Sequence, residues 1–352
     1  MAPHPARQVA APPALRCGRW TDAMTVALLF VASAVLLVLA SELFTNAIEW
    51  AGYRLRLGTG ATGSLLAAFG TSLPEMVVPV VALIAHAPSA DSVAIGAVLG
   101  APFLLLTLGV AVTGLAVLSR PRAHALVIDR RQPRRDLGVF VIAFSAVLIC
   151  TVLPFPARVG VGVALLATYG GYVVATLRGG VPVDEMPEPL HVVRWRAGQP
   201  HTLLISGQLT AAVLLLVVGS DLFVRALNQA ASALNVPTLI LALVVVPLAT
   251  ELPETLNSVL WVRSRDDMLA FGNVAGSSAF QSCVLAFIGV VFTTWRPGSG
   301  GLISGVVTLA TAVFLLAVLW RGRAHGALLL CAGLPWAGYV IAQVVTAGHL
   351  GG

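Results

Sequence analysis

The sequence predicts an all-α membrane protein: about ten transmembrane helices in two five-helix halves of opposite orientation. Three observations carry this. The 352 residues are 58% hydrophobic and only 10% charged, with a mean hydropathy of +0.91; a water-soluble domain needs far more charge to cover its surface. Apolar runs of membrane-spanning length, roughly 20 residues each, recur from end to end. A pattern of polar residues in the first half then returns in the second. A transmembrane β-barrel would instead alternate apolar and polar residues.

Helices are expected at 23–53, 60–86, 91–118, 137–153 and 157–177, and again at 202–233, 237–262, 267–294, 301–320 and 325–347. Residues 1–22, rich in Pro, Ala and Arg, read as an N-terminal tail without a packed fold. The first repeat then covers 23–177, a linker 178–201, and the second repeat 202–352. The linker carries Gly179, Gly180, Pro182, Pro187 and Pro189, residues that break regular structure. Basic residues precede the apolar run from Met24, as in a signal peptide. That run has a counterpart later in the chain, however, which a cleaved leader would lack.

The internal repeat organises the chain. Ser41-Glu42-Leu43-Phe44 returns as Ser220-Asp221-Leu222-Phe223, 179 positions on. At the same offset Thr71, Leu73, Pro74 and Glu75 match Thr250, Leu252, Pro253 and Glu254. Past a three-residue shortening the offset becomes 176, pairing Asp91 with Asp267, Ala94 with Ala270, Gly96 with Gly272 and Gly100 with Gly276. Ordered matches over this length mark a duplicated unit. Five spans per half is an odd number, so the second half must enter the membrane from the other face.

Charge sets the orientation. The net charge is +6 and all 21 basic residues are Arg. Fifteen of them lie in the connections that follow the odd-numbered helices. The positive-inside rule places those connections, the 178–201 linker included, in the cytoplasm and both termini outside, in a plasma (inner) membrane protein. The basic balance is thus an orientation signal; no soluble basic face with accessible aromatics points to nucleic acid. The four cysteines, Cys17, Cys150, Cys283 and Cys331, form no CxxC pair and give no disulfide or zinc framework.

Ionisable side chains inside a bilayer cost about 2.5–3.5 kcal/mol or more each at mid-helix and mark functional sites. Two segments carry them at matching places: Gly70-Thr71-Ser72-Leu73-Pro74-Glu75 and Ala249-Thr250-Glu251-Leu252-Pro253-Glu254. In each, Thr and Glu stand at i and i+4, on one helical face. Each Pro lacks an N–H and clashes with the carbonyl four residues back, so the carbonyls of Gly70 and Ala249 are expected to lose their helical partners. A freed carbonyl at that depth needs protein, water or an ion. Carbonyl, hydroxyl and carboxylate oxygens together suit hard cations such as Ca2+, Mg2+ and Na+. A single such segment could be a Pro-kinked helix whose Glu bonds a neighbour; two related by symmetry point to a shared site. Glu42 and Asp221 read as packing or gating contacts as readily as ligands, Asp91 and Asp267 as helix caps, and Asp266-Asp267 beside Arg263 and Arg265 as a solvated loop.

At these residues the chain resembles the calcium/cation exchanger superfamily, which includes the sodium/calcium exchangers. That family carries G-T-S-L-P-E in one helix and G-N-x-x-G-S-N-x-F-N in the next. Here the first motif is intact at Gly70–Glu75, and the second half has Ala249–Glu254 followed by Gly272-Asn273-Val274-Ala275-Gly276-Ser277-Ser278-Ala279-Phe280-Gln281. The resemblance implies a sodium/calcium exchanger-like fold in which Thr71, Glu75, Thr250 and Glu254 form a central divalent-cation site, and in which the first and sixth helices slide across the bundle. Ser72, Ser277 and Gln281 join the candidate ligands by the same motifs. The chain also departs from the pattern. Ala101 and Leu105 stand where the family has ligating Ser and Asn, Gln281 holds the other polar position, and Glu251 replaces a Ser.

Three close carboxylates in a low dielectric cannot all stay charged without compensation, so Glu75, Glu251 and Glu254 are expected to behave as one coupled group for which protons compete with cations. The expected function is secondary-active antiport of Ca2+ or a related divalent cation against Na+ or H+. A monovalent Na+/H+ exchanger on the same fold is the alternative. A channel is disfavoured by the paired broken helices, and an intramembrane hydrolase by the lack of an HExxH pair or a Ser/His arrangement at membrane depth. The chain therefore reads as a transporter, not an enzyme, with no resident cofactor. Its expected partners are inorganic cations and the lipid bilayer, and the sequence favours neither a monomer nor a homodimer.

Overall fold

A long apolar run away from water satisfies its own backbone groups only as a helix, and this chain folds accordingly. The computed structural model describes residues 17–54, 72–121, 124–179, 187–193 and 200–350. In the first half the helices are α1 (Cys17–Arg54), α2 (Leu73–Ile84), α3 (Ala90–Leu118), α4 (Arg131–Ile149) and α5 (Phe155–Gly179). In the second they are α6 (Thr202–Leu234), α7 (Thr238–Thr250), α8 (Leu252–Ser264), α9 (Asp267–Phe292), α10 (Gly298–Val318), α11 (Gly326–Cys331) and α12 (Leu334–Leu350). Among the described residues eight helices are long and apolar enough to cross a membrane, or nine with the bent pair α7–α8 as one span. The expected helix 60–86 is described only over α2, since 55–71 lie outside the described residues.

Several boundaries differ from expectation for identifiable reasons. α1 is described from Cys17, inside the stretch read as tail, and no Pro or Gly after Gly18 interrupts its run into the apolar segment. α4 begins at Arg131 instead of 137. Its polar opening lowers hydropathy, but Pro133 lies in the first turn, where a missing N–H costs nothing. The expected helix 237–262 is broken at Glu251 and bends by 43°. The last helix is divided by a turn at Ala332-Gly333.

α3 and α9 form the centre. Of their most apolar stretches 94% and 72% are buried, against 22% for α1 and 28% for α6, which pack mainly on one another at the periphery. α3 runs against α7, and small residues permit the approach: a Cβ on Gly100 would lie 2.5 Å from the Leu243 carbonyl oxygen and 2.8 Å from Pro247 Cγ. Both central helices widen into a π turn, at Leu105–Gly109 and at Gln281–Leu285. These are 176 residues apart, the offset of the sequence repeat, so the duplication extends to backbone irregularity. π turns inside α-helices frequently mark functional positions.

One element is absent from the all-α expectation. Ala125–Val127 (β1) and Arg323–His325 (β2) pair antiparallel, with Leu126 opposite Ala324. The ribbon joins the α3–α4 connection to the α10–α11 connection. Arg120, at the end of α3 and 8% exposed, fastens it to the bundle: it donates to the Val262 carbonyl and pairs with Asp267. Asp267 also accepts from the Val127 backbone N–H at 2.7 Å. Asp267 is therefore a partly buried anchor between two segments; the capping is done by Asp266, which accepts from Leu269 N–H. Its repeat partner Asp91 likewise reaches away from its own helix, to the N–H and hydroxyl of Thr294. The described part of the linker, 187–193, is held on α1, where Trp50 Nε1 donates to the Glu188 carbonyl at 2.7 Å and Asn46 Oδ1 accepts from His191 N–H at 3.1 Å.

Gly100→Val is expected to overpack the α3–α7 contact and cost about 1–3 kcal/mol, read as a lower unfolding midpoint in detergent. An unchanged midpoint would remove this contact as a determinant of the fold.

Candidate functional site

Proline sets the local geometry in both halves. Pro74 and Pro253 lie in the first turn of α2 and α8, where no N–H is needed. The residues just before these helices, Ser72 and Glu251, have φ/ψ of −83°/6° and −85°/−2°. Both lie in the sparsely populated bridge region and are separated by the 179-residue offset of the repeat. α2 and α8 therefore start at the same point of the repeat from the same conformation. Glu75 and Glu254 follow the prolines, in the first helical turn, where the helix dipole favours negative charge.

These breaks meet. One carboxylate oxygen from each of Glu75, Glu251 and Glu254 lies within 4.8 Å of the others, and all three residues are 0% exposed. Oxygens about 2.3–2.6 Å from a shared Ca2+ fall up to roughly 5 Å apart, so the spacing fits a single hard cation. Ser72 Oγ donates across the halves to Glu254 Oε1 at 3.4 Å. Gln281 Nε2 donates to Glu251 Oε1 at 2.6 Å. Thr250 lies against Glu75, with its own proton directed to the Val246 carbonyl at 3.2 Å. Among the described residues, both oxygens of Glu75, Glu251 Oε2, Gln281 Oε1 and Ser277 Oγ are buried without a hydrogen-bond partner. Each such oxygen ordinarily costs about 1–3 kcal/mol, and a cation would satisfy several at once. The set is all oxygen, the donor type of Ca2+, Mg2+ and Na+.

Of the residues singled out from sequence, Ser72, Glu75, Thr250, Glu251 and Glu254 gather at this point. Gln281 reaches it from α9, and Ser277 stands one turn earlier on the same helix, both fully buried. Ala249 sits in the last turn of α7. Gly70 and Thr71 lie outside the described residues. Ala101 and Leu105, the repeat counterparts of Ser277 and Gln281, are buried and apolar, so α3 offers no side-chain oxygen at those positions. Glu42 and Asp221 stand apart: Glu42 contacts His191 at 3.4 Å, and Asp221 pairs with Arg225 at 2.8 Å on the surface.

Sequence reasoning left Asn273 and Ser258 without a role. Asn273 Nδ2 donates to the Glu254 carbonyl at 2.9 Å, and Ser258 Oγ bonds the same oxygen at 2.9 Å. Together they fix the first turn of α8 against α9. The Gly-Asn pair at 272–273 was the available signal, but its partner is a main-chain atom, which no side-chain motif reveals.

Comparisons with known proteins agree with this architecture. A family model described as "Sodium/calcium exchanger protein" matches residues 25–178 and 205–345. The putative antiporter CaxA of Alkalimonas amylolytica is 27% identical over 317 residues, covering 85% of this chain and 92% of that protein. An uncharacterized membrane protein of Methanocaldococcus jannaschii is 24% identical over 310 residues, covering 86% and 93%. The fold resembles the crystal structure of the H+/Ca2+ exchanger CAX, with a TM-score of 0.74 at 15% identity over 94% of this chain and 88% of that one. It also resembles the sodium-calcium exchanger NCX_Mj, with a TM-score of 0.61 at 19% identity over 90% and 98%.

Gln281→Leu would give the second half the residue found in the first and strip Glu251 of its donor. A hydrogen bond to a charged group contributes about 1.5–3 kcal/mol, so a comparable loss is expected in the unfolding midpoint measured with divalent cations chelated. A variant as stable as the parent would remove this bond from the account.

Proposed function

We propose that this chain, which belongs to the sodium/calcium exchanger protein family, is a secondary antiporter that moves Ca2+ or a related divalent cation across the membrane in exchange for H+ or Na+. Membership makes it a membrane cation exchanger. The observation that carries the finer reading is the buried cluster of Glu75, Glu251 and Glu254, drawn from both halves with one oxygen each within 4.8 Å. In our reading Glu75 and Glu254 ligate the divalent cation from opposite sides, assisted by the hydroxyls of Thr71, Thr250, Ser72 and Ser277, the Gln281 carbonyl oxygen, and the main-chain carbonyls of Gly70 and Ala249. No resident cofactor is involved; the cations are cargo.

Two features favour the proton as counter-ion. Ala101 and Leu105 remove oxygens that sodium ions would need on α3. Glu251 adds a third carboxylate, so one divalent cation leaves a negative charge that a proton can neutralise. A relative of the same fold is named as an H+/Ca2+ exchanger and another as a sodium-calcium exchanger, so both couplings fit the architecture. Exchange would proceed by alternating access, with the peripheral pair α1 and α6 sliding over the bundle around α3 and α9. The arginine bias supports a plasma-membrane orientation with both termini outside.

Flux in proteoliposomes tests the reading, comparing Ca2+, Mg2+, Mn2+ and Na+ under imposed sodium and pH gradients. A pH gradient is expected to drive divalent uptake; uptake driven by sodium alone would sink proton coupling, and Na+/H+ exchange without divalent flux would favour the monovalent alternative. Glu75→Gln and Glu254→Gln are each expected to reduce flux by about a hundredfold or more, given the 3–5 kcal/mol scale of removing one partner from a buried charge pair, with membrane insertion intact. Full activity in either removes that residue from the site. Glu251→Ser, which restores the family residue, is expected to shift the pH profile of flux, and an unshifted profile would clear Glu251 of a proton-sensitive role.

A further inference from the structure

Where α10 ends, apolar surface meets uncompensated positive charge. An open groove of about 690 Å³ follows the C-terminal part of α10. Val313, Leu316 and Ala317 form its wall, and Trp320, Arg321 and Arg323 its mouth. Val313 and Trp320 are each 49% exposed, so the groove opens outward and not into the bundle. From α4, Arg134 reaches Trp320 at the mouth of the groove. The Arg134 guanidinium lies 4.1 Å from the Trp320 ring centre and donates to the Trp320 carbonyl at 3.1 Å. The ribbon sets Val127 opposite Arg323, and Arg130 packs beside Gly322, whose φ of +73° turns the chain at the mouth.

Four arginines, Arg130, Arg134, Arg321 and Arg323, are therefore exposed at one corner built from both halves. The ion pairs among the described residues are Arg120–Asp267, Arg135–Asp136, His191–Glu42 and Arg225–Asp221, and none uses these four. Asp129, the adjacent acidic residue, gives one carboxylate oxygen to the Arg131 N–H at 3.0 Å.

We propose that this corner binds an anionic phospholipid, with the headgroup phosphate between Arg321 and Arg323 and an acyl chain lying along Val313, Leu316 and Ala317. The charge complement is one reason: repelling arginines at a membrane surface recruit anionic headgroups, each contributing on the order of a few-fold in affinity. Shape is the second, since the groove is apolar on its helical wall and basic only at its mouth. A zwitterionic lipid would fill the wall but leave the arginines without net countercharge. An acidic soluble peptide would meet the arginines but not an apolar wall on a membrane-spanning helix. Trp320 at the junction fits the headgroup level, where Trp is enriched. The arginine bias assigns this face to the cytoplasm, where anionic lipids attract such clusters.

Native mass spectrometry of the full chain in detergent, with equimolar phosphatidylglycerol and phosphatidylcholine, tests the proposal. Retention of phosphatidylglycerol over phosphatidylcholine is expected. Arg321→Gln with Arg323→Gln is expected to weaken retention roughly thirtyfold, from two lost charges. The same pair changed to Lys should stay within about threefold of the parent, because the headgroup attraction is to charge. Arg296→Gln, at the opposite end of α10, should change nothing. Equal retention of both lipids, full retention by the Gln pair, or equal loss in the Gln and Lys pairs would overturn the proposal. So would full displacement of the lipid by inorganic phosphate, which would reduce the corner to a bare anion site.

Discussion

Burying like charges together is the constraint on which this structure turns. Three glutamates share one small volume with no exposure to solvent, and charge in such a place persists only with compensation. Much of the surrounding architecture serves that arrangement. The prolines sit in the first turns of α2 and α8, whose starts carry the buried Glu75 and Glu254. The dipoles of α2 and α8 point their positive ends at Glu75 and Glu254. Asn273 and Ser258 fix the turn that carries Glu254. What remains unbalanced is the negative charge that a cation would neutralise in the exchange proposed above.

The duplication is close in backbone and unequal in chemistry. Ser72 and Glu251 share a conformation, and the π turns beginning at Leu105 and Gln281 share a position. Yet one half offers a hydroxyl and a leucine where the other offers a carboxylate and an amide. Glu251 and Gln281 bond to each other, so the two departures form one unit. An inverted repeat would otherwise present the same environment toward both faces of the membrane. Here the polar unit belongs to a single half, so the two halves differ chemically at the cluster even though their frames match.

The parts legible in the sequence were those dictated by local rules. The Pro–Glu spacing located the starts of α2 and α8, because a missing proline N–H acts within a few residues. The repeat offset paired the halves and foretold that Glu75 and Glu254 would meet. The parts that escaped depend on neighbours distant in the chain. Leu126 and Ala324 carry no strand signal of their own and form a ribbon only because the bundle brings them together. Asp267 looked like surface because its sequence neighbours are charged, whereas its partner Arg120 arrives from the end of α3. The polar opening of α4 hid its first turns, 131–136, from hydropathy.

The ribbon has a consequence for biogenesis. It pairs the segment after the third helix with a segment just ahead of the last two, so this link is among the most distant in sequence. Contacts of that kind form late, since a long loop must close before they stabilise anything. During synthesis the first half therefore waits, with Arg120 and Val127 lacking the Asp267 carboxylate they share, until the second half has been inserted. The tie between the two halves at this corner is in this sense a late act of translation, completed only once β2, just ahead of α11, has been made.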